Sequence, residues 1–329
     1  MRPLSGDGDE TPRAVRTRVR AAVGLVVSVV LVGLLLRYVR PADVLDALAR
    51  ADLPLLLAAT GLHGVQLLLR VQRFAGLVGE VGVASRAAFD SAFLGWLSNL
   101  TLPAKAGELT RPFAYRSWSE ATMPCIVASM VVERTLDLIL LGALFGGALM
   151  LGLPPDVPHW VATAAWVMTT FGVLMVVVLA GLLRGVDPAR EDVLGRFRRG
   201  LSALGALPSS MAALGLSVGI WGSEVAGVWL TLVALGVTPP GALAASSVLV
   251  VATTLAVAAP AAPGGLGVEQ WVTVIVLSAW AVTYADAVAV SLLVLFEAVV
   301  WIAPLGLIAL WRRSIRGERE SVDGLELAE

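Results

Sequence analysis

Apolar runs separated by short charged blocks set the pattern of this chain. Runs at residues 21–36, 53–69, 87–102, 121–132, 138–153, 160–183, 210–235, 242–259, 268–282 and 286–311 are each predicted to be helical. The first is short for a hydrocarbon layer of about 30 Å, and Arg20 and Arg37 flank it. Residues 37–52 are expected as a link, and Arg70, Arg73 and Arg86 as a loop after the second run. From Ala121 to Leu153 the apolar character is too long for one straight span. This implies a half-helix ahead of the charges or a helix that projects from the membrane. Residues 193–207 have the pattern of an amphipathic surface helix. The steps Gly142/Gly146 and Gly215/Gly219 suit close helix packing.

Two interruptions do not fit a simple alternation of spans and loops. Leu102-Pro103-Ala104-Lys105-Ala106-Gly107-Glu108-Leu109-Thr110-Arg111 breaks the first half of the chain. Pro260-Ala261-Ala262-Pro263-Gly264-Gly265-Leu266-Gly267-Val268-Glu269 breaks the second. A bare backbone facing hydrocarbon leaves its polar groups unpaired, so each break is expected inside protein or lining a wet cavity. Paired breaks in corresponding halves point to a midplane site between repeats. The fold class that follows is an all-α polytopic membrane bundle. It has about six to eight spans, two broken or re-entrant segments and a possible inverted-topology repeat.

Composition strengthens the membrane assignment: the chain is 57% hydrophobic and 15% charged, with a mean hydropathy of +0.84. Arginine placement supplies the orientation. Residues 1–20, 184–208 and the segment from Arg312 onward are arginine-rich, while 154–159, 236–241 and 282–285 hold none. Positive residues stay on the cytoplasmic side, which puts both termini inside the cell membrane. The expected layout is a cytoplasmic tail at 1–20, one transmembrane domain at 21–311 and a cytoplasmic tail at 312–329. The arginine-rich N-terminus before an apolar run resembles a signal peptide, but no small-residue cleavage site follows, so an uncleaved helix is expected.

Candidate chemistry gathers at the breaks. Lys105 is the only lysine, and with Arg111 it makes the first break basic, suited to a phosphate. Glu108 could neutralise the empty site or carry a proton; the competing reading is an ordinary cytoplasmic loop. Glu133 and Asp137 share a helix face, and Arg134 reaches Asp137 at i,i+3. One arginine against two acids leaves a negative balance unless a base such as Arg111 joins, and a helix-start cluster at the cytoplasmic border is the alternative. Glu269 follows Gly264, Gly265 and Gly267 with no local base. Glu224 and Glu297 are lone acids in apolar helices, His63 reads as a packed polar residue, and Trp160, Trp221, Trp271 and Trp311 suit interfacial belts. Cys125 stands alone, excluding an intrachain disulfide, and no phosphate-binding loop, nucleophile elbow or metal motif occurs. No cofactor, no nucleic-acid partner and no enzymatic activity are therefore expected.

Three motifs together resemble the flippase-like transmembrane family found at the N-terminus of lysylphosphatidylglycerol synthases. They are Leu102–Arg111, Val132-Glu133-Arg134-Thr135-Leu136-Asp137 and Pro263-Gly264-Gly265-Leu266-Gly267-Val268-Glu269. The resemblance covers about residues 20–311 and lacks the soluble aminoacyl-transfer domain. It implies a domain that moves a phospholipid or a polyprenyl-phosphate-linked head group between leaflets. The residues expected to bind it are Lys105, Glu108, Arg111, Glu133, Arg134, Asp137, Gly264, Gly265 and Glu269. The alternatives are a non-transporting membrane partner of a lipid-modifying or glycosyl-transfer enzyme, and a secondary transporter of a small anion.

Overall fold

The computed structural model describes residues 26, 29–79, 86–102, 106–154, 156–185, 193, 195, 197, 207–256 and 263–326, and every structural statement below refers to these. Helices α1 (Val29–Tyr38) and α2 (Pro41–Ala49) lead into α3 (Leu53–Val78), α4 (Arg86–Thr101), α5 (Gly107–Trp118) and α6 (Met123–Met150). Then follow α7 (His159–Gly185), α8 (Leu207–Ala234), α9 (Ala242–Ala256), a 3-10 turn at Pro263–Gly265, α10 (Val268–Ser278) and α11 (Tyr284–Glu326). The chain is a polytopic helical membrane protein: α3, residues Ser209–Ala234 of α8 and residues Tyr284–Ile315 of α11 are each long and apolar enough to cross a bilayer.

Local chemistry sets the helix ends. The Asp52 carboxylate accepts a hydrogen bond from Leu55 N at 3.0 Å, and a proline in the first turn starts α3. Gly79, at φ 91°, stops it. Helix α3 therefore runs through Arg70 and Arg73, which lie on it and not in a loop. The apolar residues Phe74, Ala75, Leu77 and Val78 extend the helix past them. The expected link at 37–52 contains helix α2. The stretch from Ala121 to Leu153 is mostly one unbroken helix, α6, and Glu133, Arg134 and Asp137 fall near its middle. They are not a helix-start cluster. Helix α11 continues past residue 311 with Pro304 inside it. The surface helix expected at 193–207 lies mostly outside the described residues, as does Lys105.

Helices α3–α6 and α8–α11 are two copies of one plan. In each, the second helix packs on the third and the third on the fourth: α4 on α5 on α6, and α9 on α10 on α11. The second helix of each copy also crosses to the last helix of the other, α4 to α11 and α9 to α6. The leading helices α3 and α8 form the largest interface in the molecule. They run antiparallel: Asp52 N donates to Ala234 O at 2.8 Å at one end, and Arg73 Nη1 donates to Ser217 Oγ at 2.8 Å towards the other. With the leading helices pointing in opposite directions and the same packing order in each copy, the two copies have inverted topology.

Both breaks depend on glycine. A Cβ at Gly107 would lie 2.0 Å from Gly95 O and 2.6 Å from Asn99 Oδ1, so α5 touches α4 backbone to backbone. Asn99 accepts the Gly107 N–H at 2.8 Å, which pairs a free amide at the start of α5. In the second break Gly264, Gly265 and Gly267 have φ of 67°, 70° and 86°, a region that favours glycine. The second break packs against α4, and Gly264 faces Leu100 at its C-terminal end. Of the small-residue steps, Gly142 fits tightly under Thr169 of α7, whereas Gly146 and Gly215 face open space.

Candidate functional site

Helices α3–α6 and α8–α11 together surround a cavity of about 590 Å³. Its lining includes Arg70, Arg73, Glu108, Arg111, Glu133, Arg134, Asp137, Glu224 and Glu269, four arginines and five carboxylates. Of the residues expected from sequence, Glu108, Arg111, Glu133, Arg134, Asp137 and Glu269 are brought together here. Gly264 and Gly265 do not line the cavity; they turn the chain so that α10 can present Glu269 to it.

The arginines and acids alternate along one wall. Arg134 Nη2 reaches Glu108 Oε1 at 2.7 Å, and Arg134 Nη1 lies 3.7 Å from Asp137 Oδ2. Arg73 Nη1 pairs with Asp137 Oδ1 at 2.8 Å, and its Nε lies 3.7 Å from Glu133. Arg111 grips Glu133 with both terminal nitrogens, at 3.0 and 3.4 Å. Its guanidinium also stacks 4.0 Å from the Phe74 ring centroid. Arg70 lies 3.8 Å from Asp137 and 5.0 Å over the Trp221 ring.

Burial is graded along this wall. The Arg134 and Glu108 side chains are 56% and 40% exposed, whereas Arg73 and Glu133 are 1% and 6% exposed. Withdrawing such charges from water costs several kcal/mol per ion, and only close partners offset it. The wall holds four arginines against three acids, so one positive charge is not matched within it. The Nε atoms of Arg73 and Arg111 are buried without a hydrogen-bond acceptor. An anion entering here would find donors already oriented.

Arg70 and Arg73 carry much of this site, and both were expected in a loop because an arginine at the end of an apolar run usually marks the membrane surface. The apolar residues that resume at Phe74 were the available signal. Trp221 is 3% exposed and donates its indole N–H to Asp137 Oδ1 at 3.1 Å, so it supports the site and is not in an interfacial belt. Trp271 likewise turns inward, donating to Leu31 O at 2.6 Å. Glu224 accepts a hydrogen bond from Gln66 Nε2, and Glu297 accepts one from Thr231 at 2.8 Å.

An inverted pair of four-helix units around a charged intramembrane cavity defines a class of multi-pass membrane protein with its site between repeats. The family described as the lysylphosphatidylglycerol synthase TM region matches residues 21–316, and this chain belongs to it. Among its relatives is "Glycosyltransferase AglD" of Haloferax volcanii, 29% identical over an alignment covering 86% of this chain and 52% of that protein. Another is a "UPF0104 membrane protein" of Methanothermobacter thermautotrophicus, 26% identical over 79% of this chain and 85% of that protein. The chain spans about half the length of the glycosyltransferase relative and most of the second.

Proposed function

We propose that this protein translocates a phosphate-bearing lipid, a phospholipid or a polyprenyl-phosphate-linked head group, between the leaflets of the cell membrane. Both termini are cytoplasmic in this reading, and the chain moves its substrate without transforming it. The observation that carries it is the graded ion-pair wall between the middle of α6 and the C-terminal third of α3. A phosphate reaching the exposed Arg134–Glu108 pair competes with Glu108 for the arginine, and Arg111 and Arg73 offer the next positions inward. Each exchange replaces one anion on a guanidinium with another, so the head group moves without meeting bare hydrocarbon. Leu109 and Phe113, on the same helix as Glu108, are 68% and 63% exposed, a surface suited to acyl chains beside the charged mouth. That favours a lipid over a small anion. Lys105, beside this mouth in sequence, is proposed as a further phosphate contact.

The test is a vesicle assay with the purified full chain and a fluorescent phospholipid in both leaflets, followed by a membrane-impermeant quencher. Translocation raises the quenched fraction from about half to nearly all, and Arg111→Gln should slow this at least tenfold. Equal rates in empty vesicles and proteoliposomes would overturn the proposal. A second reading has the chain serve as the membrane partner of a glycosyl-transfer enzyme. It is favoured by the likeness to the glycosyltransferase relative, of which this chain covers about half. It predicts no translocation but co-purification with such an enzyme.

A further inference from the structure

Away from the arginine wall, the same cavity has a corner built almost entirely of oxygen acceptors. Gln66 on α3, Glu224 on α8, Thr253 and Thr254 at the end of α9 and Glu269 on α10 all line it. Gln66 is 4% exposed. Its Nε2 donates to Glu224, and its Oε1 is buried with no hydrogen-bond partner. The two threonine hydroxyls donate to backbone carbonyls, Thr253 to Leu249 O at 2.8 Å and Thr254 to Val250 O at 2.7 Å. Their lone pairs therefore remain for a ligand that accepts electrons.

The charged neighbours of this corner do not neutralise it. Among the described residues, neither Glu224 nor Glu269 takes part in an ion pair; the one positive charge left over on the arginine wall, where Arg70 acts on Glu224, offsets only one of these two carboxylates. From α3 the corner also faces His63 and Arg70, and from α11 Glu297, itself held by Thr231. Glu224 and Glu269 interact electrostatically with one another. Two half-buried carboxylates beside an orphaned, buried amide oxygen call for a small positive charge. Among the described residues no three acidic, histidine or cysteine side chains converge as a divalent metal would need, so a monovalent ion suits the set.

We infer that this corner binds a monovalent cation, Na⁺ or a proton, between Glu224 and Glu269, with the Gln66 amide oxygen as a third partner. Its position gives the binding a consequence. The Gln66–Glu224 contact lies within the α3–α8 crossing, the main interface between the two inverted units, so both units sense its occupancy. A cation bound there withdraws one negative charge from the cavity that also receives the head group. Coupling of the cation to lipid movement rests on the translocation reading; the binding itself does not.

The experiment uses the purified full chain in detergent. Thermal unfolding is followed by tryptophan fluorescence in NaCl against choline chloride at equal ionic strength, across a pH series. A ligand that binds only the folded state raises Tm with its concentration. A saturable Na⁺-dependent rise at fixed pH, abolished in both Glu224→Gln and Glu269→Gln, identifies Na⁺. A rise on lowering pH that ignores Na⁺, with proton uptake on folding lost in the same variants, identifies a proton. Each variant removes a negative charge and keeps the shape, so a variant that still unfolds cooperatively but no longer responds is informative. If Na⁺ and pH leave the wild-type Tm unchanged, or if both variants respond as the wild type does, the site is refuted. Loss of lipid translocation with the cation response intact would count against the transport reading alone.

Discussion

Replacing Gly107 with alanine should separate α5 from α4 and damage the site through its scaffold. On an ordinary helix this change is favourable by up to about 1 kcal/mol, because alanine has the better helix propensity. Here the added Cβ would lie 2.0 Å from Gly95 O and 2.6 Å from Asn99 Oδ1, both well inside contact distance. Gly95 O belongs to the backbone of α4 and cannot rotate away, so α5 must move by more than 1 Å. That shift also breaks the Gly107–Asn99 hydrogen bond and displaces Glu108, the next residue, and Arg111, one turn on. Overpacking of this kind costs roughly 1–3 kcal/mol, and the lost amide partner adds about 1 kcal/mol. The sum exceeds any gain from propensity. Gly146→Ala on α6 is the internal control: nothing lies within 4 Å of its built Cβ, so the propensity gain of roughly 0.5–1 kcal/mol should survive. Unfolding in detergent, followed by tryptophan fluorescence against denaturant, should give changes of opposite sign for the two variants. A Gly107→Ala protein as stable as wild type would refute the close approach of α4 and α5.

Three further outcomes follow from the same geometry. Arg111→Gln and Glu133→Gln should each destabilise by about 3–5 kcal/mol, because each takes the closest ion-pair partner from a buried charge, whereas the double variant should cost clearly less than their sum; additive losses in a denaturation series would show that the pair is not coupled. If Lys105 contacts phosphate as a point charge, vesicle translocation should rank Lys105→Arg above Lys105→Gln, with Lys105→Glu inactive, and equal rates for all three would return it to an ordinary loop. With Cys125→Ala as background, a cysteine placed at position 156 should react with an impermeant maleimide from outside intact cells, and labelling from the cytoplasm alone would reverse the proposed orientation.

Much of this architecture is legible in the sequence, and the exceptions share a cause. Pro103 with Gly107, and Pro263 with Gly267, mark the breaks because proline and glycine interrupt helices through local chemistry. The runs at 87–102, 160–183 and 210–235 correspond closely to α4, α7 and α8. The i,i+4 pairing of Glu133 and Asp137 is likewise a local property of one helix. Arg70 and Arg73 are different: their positions make sense only once Asp137 and Glu133, 60 or more residues away, are folded against them. Sequence alone favours water as the partner of an arginine near the end of an apolar run. The roles of Gln66 and of Trp221, expected in an interfacial belt, are hidden for the same reason, since a polar group in an apolar helix acquires its meaning from the helix opposite. The inverted plan rests on the antiparallel register of α3 and α8, a tertiary fact.

The most direct test of the account is to locate the phosphate. A phospholipid carrying a photoactivatable group beside its phosphate would be crosslinked to the reconstituted protein and the adducts mapped by mass spectrometry, with a neutral diacylglycerol of the same chains as reference. Adducts specific to the phosphate-bearing probe should fall on α5, α6 and the Arg70–Arg73 turn of α3, and should diminish in Arg111→Gln. Adducts confined to the outer face of α7, around Trp166 and Phe171, and identical for the two probes would contradict it.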